Sequence, residues 1–309
     1  MARQEYEIVI IGGGPAGLAA GLYAARARRR TVLLEKGVIG GQISLTELVE
    51  NYPGIPSING FDLAQAMLKQ AESYGMETQI VETTALERDG KMWLVRTAED
   101  EYLARAVIVT VGADYNKLDV PGEERLTGRG VSYCATCDAA FFKGQHVAVV
   151  GGGDAAMDEG LFTTRHVDKI SVIHRRDRLR ASAILQERAF ANPKMEFVWD
   201  TVVTEILGEE AVTGVRLHNR ETGEDSSLDV AAVFIFIGQH PNTDFLRGLV
   251  STDEGGHAVV NEWMETERPG LYVAGDARRN SARQVVSSAG DGATAAIAAE
   301  HYLSSNFAA

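Results

Sequence analysis

Cysteine is almost missing: the 309 residues hold two. Both fall within four positions, Cys134 and Cys137. The chain is therefore no disulfide-stapled secreted scaffold, since nothing else exists to be stapled. Proline is scarce at 7, and basic residues are in deficit, with 30 Lys and Arg against 43 Asp and Glu, for a net charge of −13. That deficit argues against a general nucleic-acid-binding surface, because gripping phosphates needs an excess of cations. No run approaches the ~18 apolar residues that a membrane span requires. The apolar stretch Ile8–Ile11 stops at glycines, too short for the core of an export signal, so the expected location is the reducing cytoplasm. Glycine, by contrast, is plentiful at 32 residues. Length alone suggests about two domains of ~150 residues.

The glycines recur in a pattern. Glu7–Ile11 reads as a buried strand, followed by Gly12-Gly13-Gly14-Pro15-Ala16-Gly17, a helical run to about Arg28, and a strand Thr31–Leu34 that ends at Glu35. His146–Val150 reads as another strand, followed by Gly151-Gly152-Gly153-Asp154-Ala155-Ala156, a helical run to about Thr164, and a strand Lys169–Ile173 that ends at His174. Gly12 to Glu35 and Gly151 to His174 each span 23 positions. The chain thus holds two copies of a strand, glycine turn, helix and strand. In such a unit the first glycine permits a tight turn and the second lets backbone approach a pyrophosphate. The third, or a small Ala, lets helix pack on strand. Free N–H groups at the helix start then hold phosphate oxygens. Two copies in the right context predict two dinucleotide sites.

The strand ends separate the ligands. Glu35 supplies an acceptor for ribose hydroxyls. The second copy ends in His174-Arg175-Arg176-Asp177-Arg178-Leu179-Arg180. A carboxylate there would repel a 2′-phosphate, whereas guanidinium groups bind it with charge-assisted bonds. The second site is expected to take NADPH, and the first FAD. The bland alternative for the arginines is a solvated basic face.

The cysteines sit in Val131-Ser132-Tyr133-Cys134-Ala135-Thr136-Cys137-Asp138, one loop and one strand before the second glycine turn. This spacing closes a small disulfide ring and favours low thiol pKa values. A buried inert thiol pair and half of a zinc site are the competing readings, but the seven histidines form no second ligand pair for zinc. Asp138 suits proton transfer to or from a sulfur leaving group, or capping of a helix over Ala139–Phe142. Phe141 and Phe142 are expected in the core. A flavin, a nicotinamide and a dithiol add up to a two-electron relay.

These residues carry a resemblance. The sequence resembles bacterial-type (low-molecular-weight) thioredoxin reductases over essentially its full length, the second class of pyridine nucleotide-disulfide oxidoreductases. The matching segments are Gly12–Gly17, Gly40-Gly41-Gln42, Glu50–Gly54, Cys134–Asp138, Gly151–Ala156, His174–Ala181, Gly238–Thr243, Ala274-Gly275-Asp276 and Arg283-Gln284. The resemblance implies an α/β fold of two nested Rossmann-like (three-layer ββα/βαβ) dinucleotide-binding domains. Residues 1–115 and 245–309 would form a discontinuous FAD domain, and residues 116–244 an inserted NADPH domain with the CxxC. The crossings would lie near Gly112–Lys117 and Asn242–Phe245. It implies FAD contacts from Gly12, Gly14, Pro15, Ala16, Gly17, Glu35, Gly41, Gln42, Asn51, Gly275, Asp276, Arg283 and Gln284. Gly152, Gly153, Asp154 and Ala155 would surround the NADPH pyrophosphate. His174, Arg175, Arg176 and Arg180 would clamp its 2′-phosphate.

Cys134 and Cys137 would be the redox disulfide, with Asp138 its acid, in a homodimer that reduces thioredoxin while the inserted domain rotates. Three departures stand out: Ala155 where Ser is frequent, Asn116 where a basic residue is frequent, and CDAA at 137–140 in place of a CDG start. Reduction of another thioredoxin-like or peroxidase-linked dithiol partner is the alternative activity. A flavin-binding redox regulator without turnover is the non-enzymatic rival.

Overall fold

The computed structural model describes residues 3–46 and 49–307. The chain divides into two compact units, Met1–Asp114 with His240–Ala309, and Tyr115–Gln239.

In the first unit, strand Arg3–Ile11 pairs in parallel with Thr31–Glu35 on one side and Glu101–Val109 on the other. Glu77–Ile80 continues the parallel sheet beyond Thr31–Glu35. Strand Glu101–Val109 is shared by two neighbours. Its first half pairs antiparallel with Met92–Thr97, which pairs with Thr83–Asp89, and its second half pairs in parallel with Leu271–Val273. The returning C-terminal segment thereby completes a sheet begun at the N-terminus. Alternation from Ile8 onward sets the two faces: Ile8 and Ile10 join a core with the helices Pro15–Arg26 and Val285–Asn306, while Val9 and Ile11 join a core with the antiparallel strands. Burial on both faces explains the unbroken apolar run, as parallel sheets require.

The second unit repeats this plan. A parallel sheet runs in the order Met195–Val198, Lys169–Ile173, His146–Val150, Ala232–Ile235, Val131–Ser132. An antiparallel group of three strands, Thr201–Leu207, Gly214–Asn219 and Asp225–Asp229, accompanies it. Val147 and Val149 face one core, and Ala148 and Val150 the other.

The helices that follow the two glycine turns end at Arg26 and Thr163. The chain leaves the first unit after Asp114 and returns at His240. The return falls ahead of Asn242 for a physical reason. Asn242 is already tied into the first unit, its N–H to the Gly112 carbonyl at 3.0 Å and its side-chain amide to the Val111 carbonyl at 3.2 Å. The crossing strands Ala113–Tyr115 and Gln239–Pro241 pair with each other. Among the described residues no helix is long and apolar enough to cross a membrane.

Candidate active site

The first glycine turn shows three distinct jobs. Gly12 has φ +110°, and a Cβ there would lie 2.4 Å from the Thr110 carbonyl oxygen. Gly17 has no room because a Cβ would lie 1.9 Å from the Gly12 carbonyl oxygen, so the helix rides directly on the turn. Gly14 faces open space, with nothing within 4 Å of a Cβ position. The N–H groups of Ala16 and Gly17 precede the first helical bond, from the Leu18 N–H to the Gly14 carbonyl at 3.0 Å. Packed glycines on either side of an open one, beside free helix-start donors, fit a pyrophosphate.

Of the other first-unit candidates, Glu35, Gly41 and Gly275 adjoin this turn. The Glu35 carboxylate accepts the N–H of Gly13 at 2.6 Å and of Gly37 at 2.8 Å, which fixes it at the strand tip. The Gly40 N–H donates to the Gly13 carbonyl at 2.8 Å, and a Cβ on Gly41 would sit 3.5 Å from Gly14 Cα. Gln42 donates to the Ala113 carbonyl at 2.5 Å. Gly275 has φ +73°, and a Cβ there would lie 3.1 Å from the Ala16 side chain. Asp276 Oδ1 accepts from the Ser281 and Ser288 hydroxyls at 2.8 and 3.4 Å. The Asn51 amide donates to Gln284 Oε1 at 3.2 Å. Gln284 also closes a reciprocal cap with Ser287 at the start of the last helix. Arg283 is exposed, with φ +56°.

Sequence reasoning missed Asp291. It is buried, pairs with Arg278 through both oxygens at 2.6 and 3.0 Å, and receives the Gly275 N–H at 3.2 Å. The only signal was an acid on the apolar face of a helix, which no local motif marks.

In the second turn Gly151 (φ +149°) meets the Phe236 carbonyl, and Gly153 faces open space as Gly14 does. Buried Ala156 fills the position of the third glycine. Gly152 carries the arginine loop: its carbonyl accepts the N–H groups of Arg180 at 2.7 Å and Ala181 at 3.2 Å. Asp154 accepts the Ser182 N–H at 2.5 Å, and Ala155 is exposed. His174 is buried at 5% exposure. Its ring lies where a Gly152 Cβ would stand, with 2.2 Å to Cε1, so it serves as a packing plate under the turn. Burial lowers its pKa, and the guanidinium groups of Arg176, Arg180 and Arg175 lower it further, against a hydrogen bond from the ring to the Arg178 backbone that raises it. The ring is neutral near pH 7.

Arg175, Arg176, Arg178 and Arg180 are all exposed. Among the described residues none of the four forms an ion pair. Four exposed cations on one short loop, none of them ion-paired, suit an anion.

Cys134 and Cys137 are joined in a disulfide across a short helix, Ala135–Asp138, that follows the edge strand Val131–Ser132. Asp138 does not cap the next turn with its side chain. It turns back instead, and the buried Ser132 hydroxyl donates to its Oδ2 at 2.6 Å. Burial raises the Asp138 pKa, and the Ser132 hydrogen bond opposes that rise. Ser132 also receives the Cys134 N–H at 3.1 Å. The Ala135 N–H donates to Glu159, on the helix after the glycine turn, at 3.2 Å.

Tyr133 donates its hydroxyl to Glu123 at 2.7 Å and stacks on Tyr115 with centroids 5.1 Å apart. Glu123 is 2% exposed and also accepts the N–H groups of Leu118 and Asp119. Burial and the Glu123 carboxylate push the phenol pKa up, so it remains a donor. Phe142 packs edge-on against Phe234, but Phe141 is 45% exposed. The expectation of two core rings holds for Phe142 only, because the turn after Asp138 points successive side chains apart. Asn116 bonds to the carbonyls of Ile237 and Gly238, inside the second unit.

A family model described as pyridine nucleotide-disulphide oxidoreductase matches residues 6–292. A thioredoxin reductase of Listeria innocua is 47% identical over 307 residues, 98% of this chain and 96% of that one. One of Bacillus subtilis is 46% identical over 300 residues, 96% of this chain and 95% of that one. Among solved structures, a thioredoxin reductase from Streptococcus pyogenes superposes with a TM-score of 0.94 at 43% identity, over 97% of this chain and 99% of that one.

Proposed function

The chain belongs to the pyridine nucleotide-disulphide oxidoreductase family, among its thioredoxin reductases, and from that premise we infer that it uses NADPH and FAD to reduce the disulfide of a thioredoxin through Cys134 and Cys137. The observation that carries this reading is the company the disulfide keeps. The Cys134–Cys137 bond lies in the same unit as a phosphate-binding turn whose next loop holds four unpaired arginines.

Bound flavin supplies the relay that accepts a hydride from a nicotinamide and passes the electron pair to sulfur. The chain's own residues do the rest. Gly14 and Gly153 leave backbone open to the two pyrophosphates, and Glu35 is held ready for ribose hydroxyls. Arg175, Arg176 and Arg180 pair with the 2′-phosphate that distinguishes NADPH from NADH. Cleavage of the Cys134–Cys137 bond takes up two electrons and, at full protonation, two protons. Asp138, whose pKa burial raises, follows Cys137 in the chain and is the acid that would give a proton to a departing sulfur. The dithiol then exchanges with the partner's disulfide, which restores Cys134–Cys137 and leaves the partner reduced. This dithiol product persists in a reducing compartment, so the reading includes a cytoplasmic location. The family resemblance adds a homodimer, with FAD in the discontinuous unit and NADPH in the inserted one.

The test compares oxidation of NADPH and NADH with and without thioredoxin, in the parent and in Cys134→Ser. NADPH should be strongly preferred, and thioredoxin should accelerate its oxidation. Cys134→Ser should abolish that acceleration while NADPH still bleaches the flavin. Retained thioredoxin reduction in the variant would overturn the assignment.

A further inference from the structure

The backbone donors that open the CxxC turn are already taken. The Cys134 N–H is held by Ser132 Oγ at 3.1 Å, and the Ala135 N–H by Glu159 Oε2 at 3.2 Å. Unclaimed N–H groups at the start of such a turn point at the first sulfur and stabilise its thiolate. Here one donor faces a hydroxyl and the next a carboxylate. That carboxylate arrives from helix Asp154–Thr163, 24 positions along the chain, one peptide unit from Cys134. Asp138 brings a second carboxylate to the same turn through Ser132. Asp158, Arg165 and Arg188 line a cavity of about 430 Å³ together with Thr136 and Glu159. Arg165 lies over the Phe162 ring, 5.3 Å from its centroid.

We propose that Glu159 is a positioning residue that keeps the Cys134/Cys137 dithiol strongly reducing, because its carboxylate on the Ala135 N–H disfavours a thiolate at Cys134. The inference rests on the reading of this disulfide as the redox centre. Reduction breaks the S–S bond, takes two electrons through the flavin, and yields two thiols, or one thiol and one thiolate when a proton is withheld. A nearby negative charge raises the thiol pKa. It thereby withdraws stabilisation from the reduced pair, and the couple holds its electrons less tightly. Such a couple passes electrons downhill to a partner disulfide.

Glu159→Gln keeps the hydrogen-bond acceptor and deletes the charge. The holoenzyme is equilibrated with dithiothreitol redox buffers at pH 8, and the fraction of reduced Cys134/Cys137 is read by thiol alkylation. The variant should be up to about threefold easier to reduce at this pH, a rise of up to ~15 mV for a two-electron couple. The pH midpoint for alkylation of the reduced pair should fall by about one unit. The flavin potential should not move, and Glu159→Asp, which keeps the charge, should stay near the parent. An unchanged couple in Glu159→Gln, or an equal shift in Glu159→Asp, overturns the proposal. Should the Gln variant fail to fold, the parent decides: a thiol midpoint at or below the ordinary ~8.5 overturns it. Failure here leaves Cys134→Ser inactive in thioredoxin reduction. Failure of the underlying reading leaves Cys134→Ser active, so the two are distinguishable.

Discussion

Asp138, the proposed acid, carries a cost to stability. Burial raises its pKa above the ordinary carboxylate value, and the Ser132 hydroxyl only partly offsets this. Between the unfolded and folded pKa values the native state holds more protons than the unfolded chain. Stability therefore falls as pH rises through that window and stays lower above it. Asp138→Asn removes the charge and this cost. Its melting temperature should exceed the parent's by more at pH 7 than at pH 4, as measured by thermal unfolding. The same variant should reduce thioredoxin at least ~10²-fold more slowly, the ordinary weight of a general acid, and should remain yellow. The arginines act at the same scale. Each charge-assisted bond to phosphate contributes about 1.5–3 kcal/mol. Arg175→Ala with Arg176→Ala should therefore raise the KM for NADPH by at least about a hundredfold and leave that for NADH within about threefold, in steady-state assays. Equal losses would remove the clamp. His174 belongs to a different kind. Its place in the motif suggested a ligand contact, but the ring is buried against Gly152, and only the folded loop reveals this.

At the scale of elements the glycine turns were legible because their demands are local. A strand, a turn with positive φ and a helix that must pack closely are all written within about 25 consecutive residues. The structure separates roles that the motif lumps together. Gly17→Ala places a Cβ 1.9 Å from the Gly12 carbonyl and should cost roughly 1–3 kcal/mol by overpacking, measured by denaturant unfolding. Gly14→Ala meets nothing within 4 Å, at an extended backbone geometry that alanine adopts freely (φ −74°, ψ −177°). It should leave stability within ~0.5 kcal/mol but release flavin, read as loss of yellow colour on gel filtration. A Gly14→Ala protein that stays yellow would show that no phosphate lies against that backbone. The CxxC turn was only half legible. Ser132 stands in the motif, two residues before Cys134. Glu159 and the Glu123–Tyr133 bond could not be read, since each joins positions that only the folded sheet brings together.

At the scale of the molecule each unit carries its own turn, strand end and antiparallel group. A lesion in one nucleotide turn should therefore spare the other. Gly153→Ala, also at an extended geometry (φ −98°, ψ −176°) with nothing within 4 Å, should stay yellow yet lose NADPH oxidation. Sequence by itself determined the chemistry, because phosphate turns, an acceptor at Glu35, a basic loop and a CxxC depend on residue types at short spacing. It also announced that there are two copies. Tertiary structure alone decided what supports them. Leu271–Val273 returns from the far end of the chain to complete the first sheet, and Asp291 braces the Gly275 turn. Glu159 reaches the Ala135 N–H, next to Cys134, from another helix. Such contacts join residues from tens to well over a hundred positions apart, and their energy appears only once the intervening chain has folded. No periodicity or motif in the sequence encodes it.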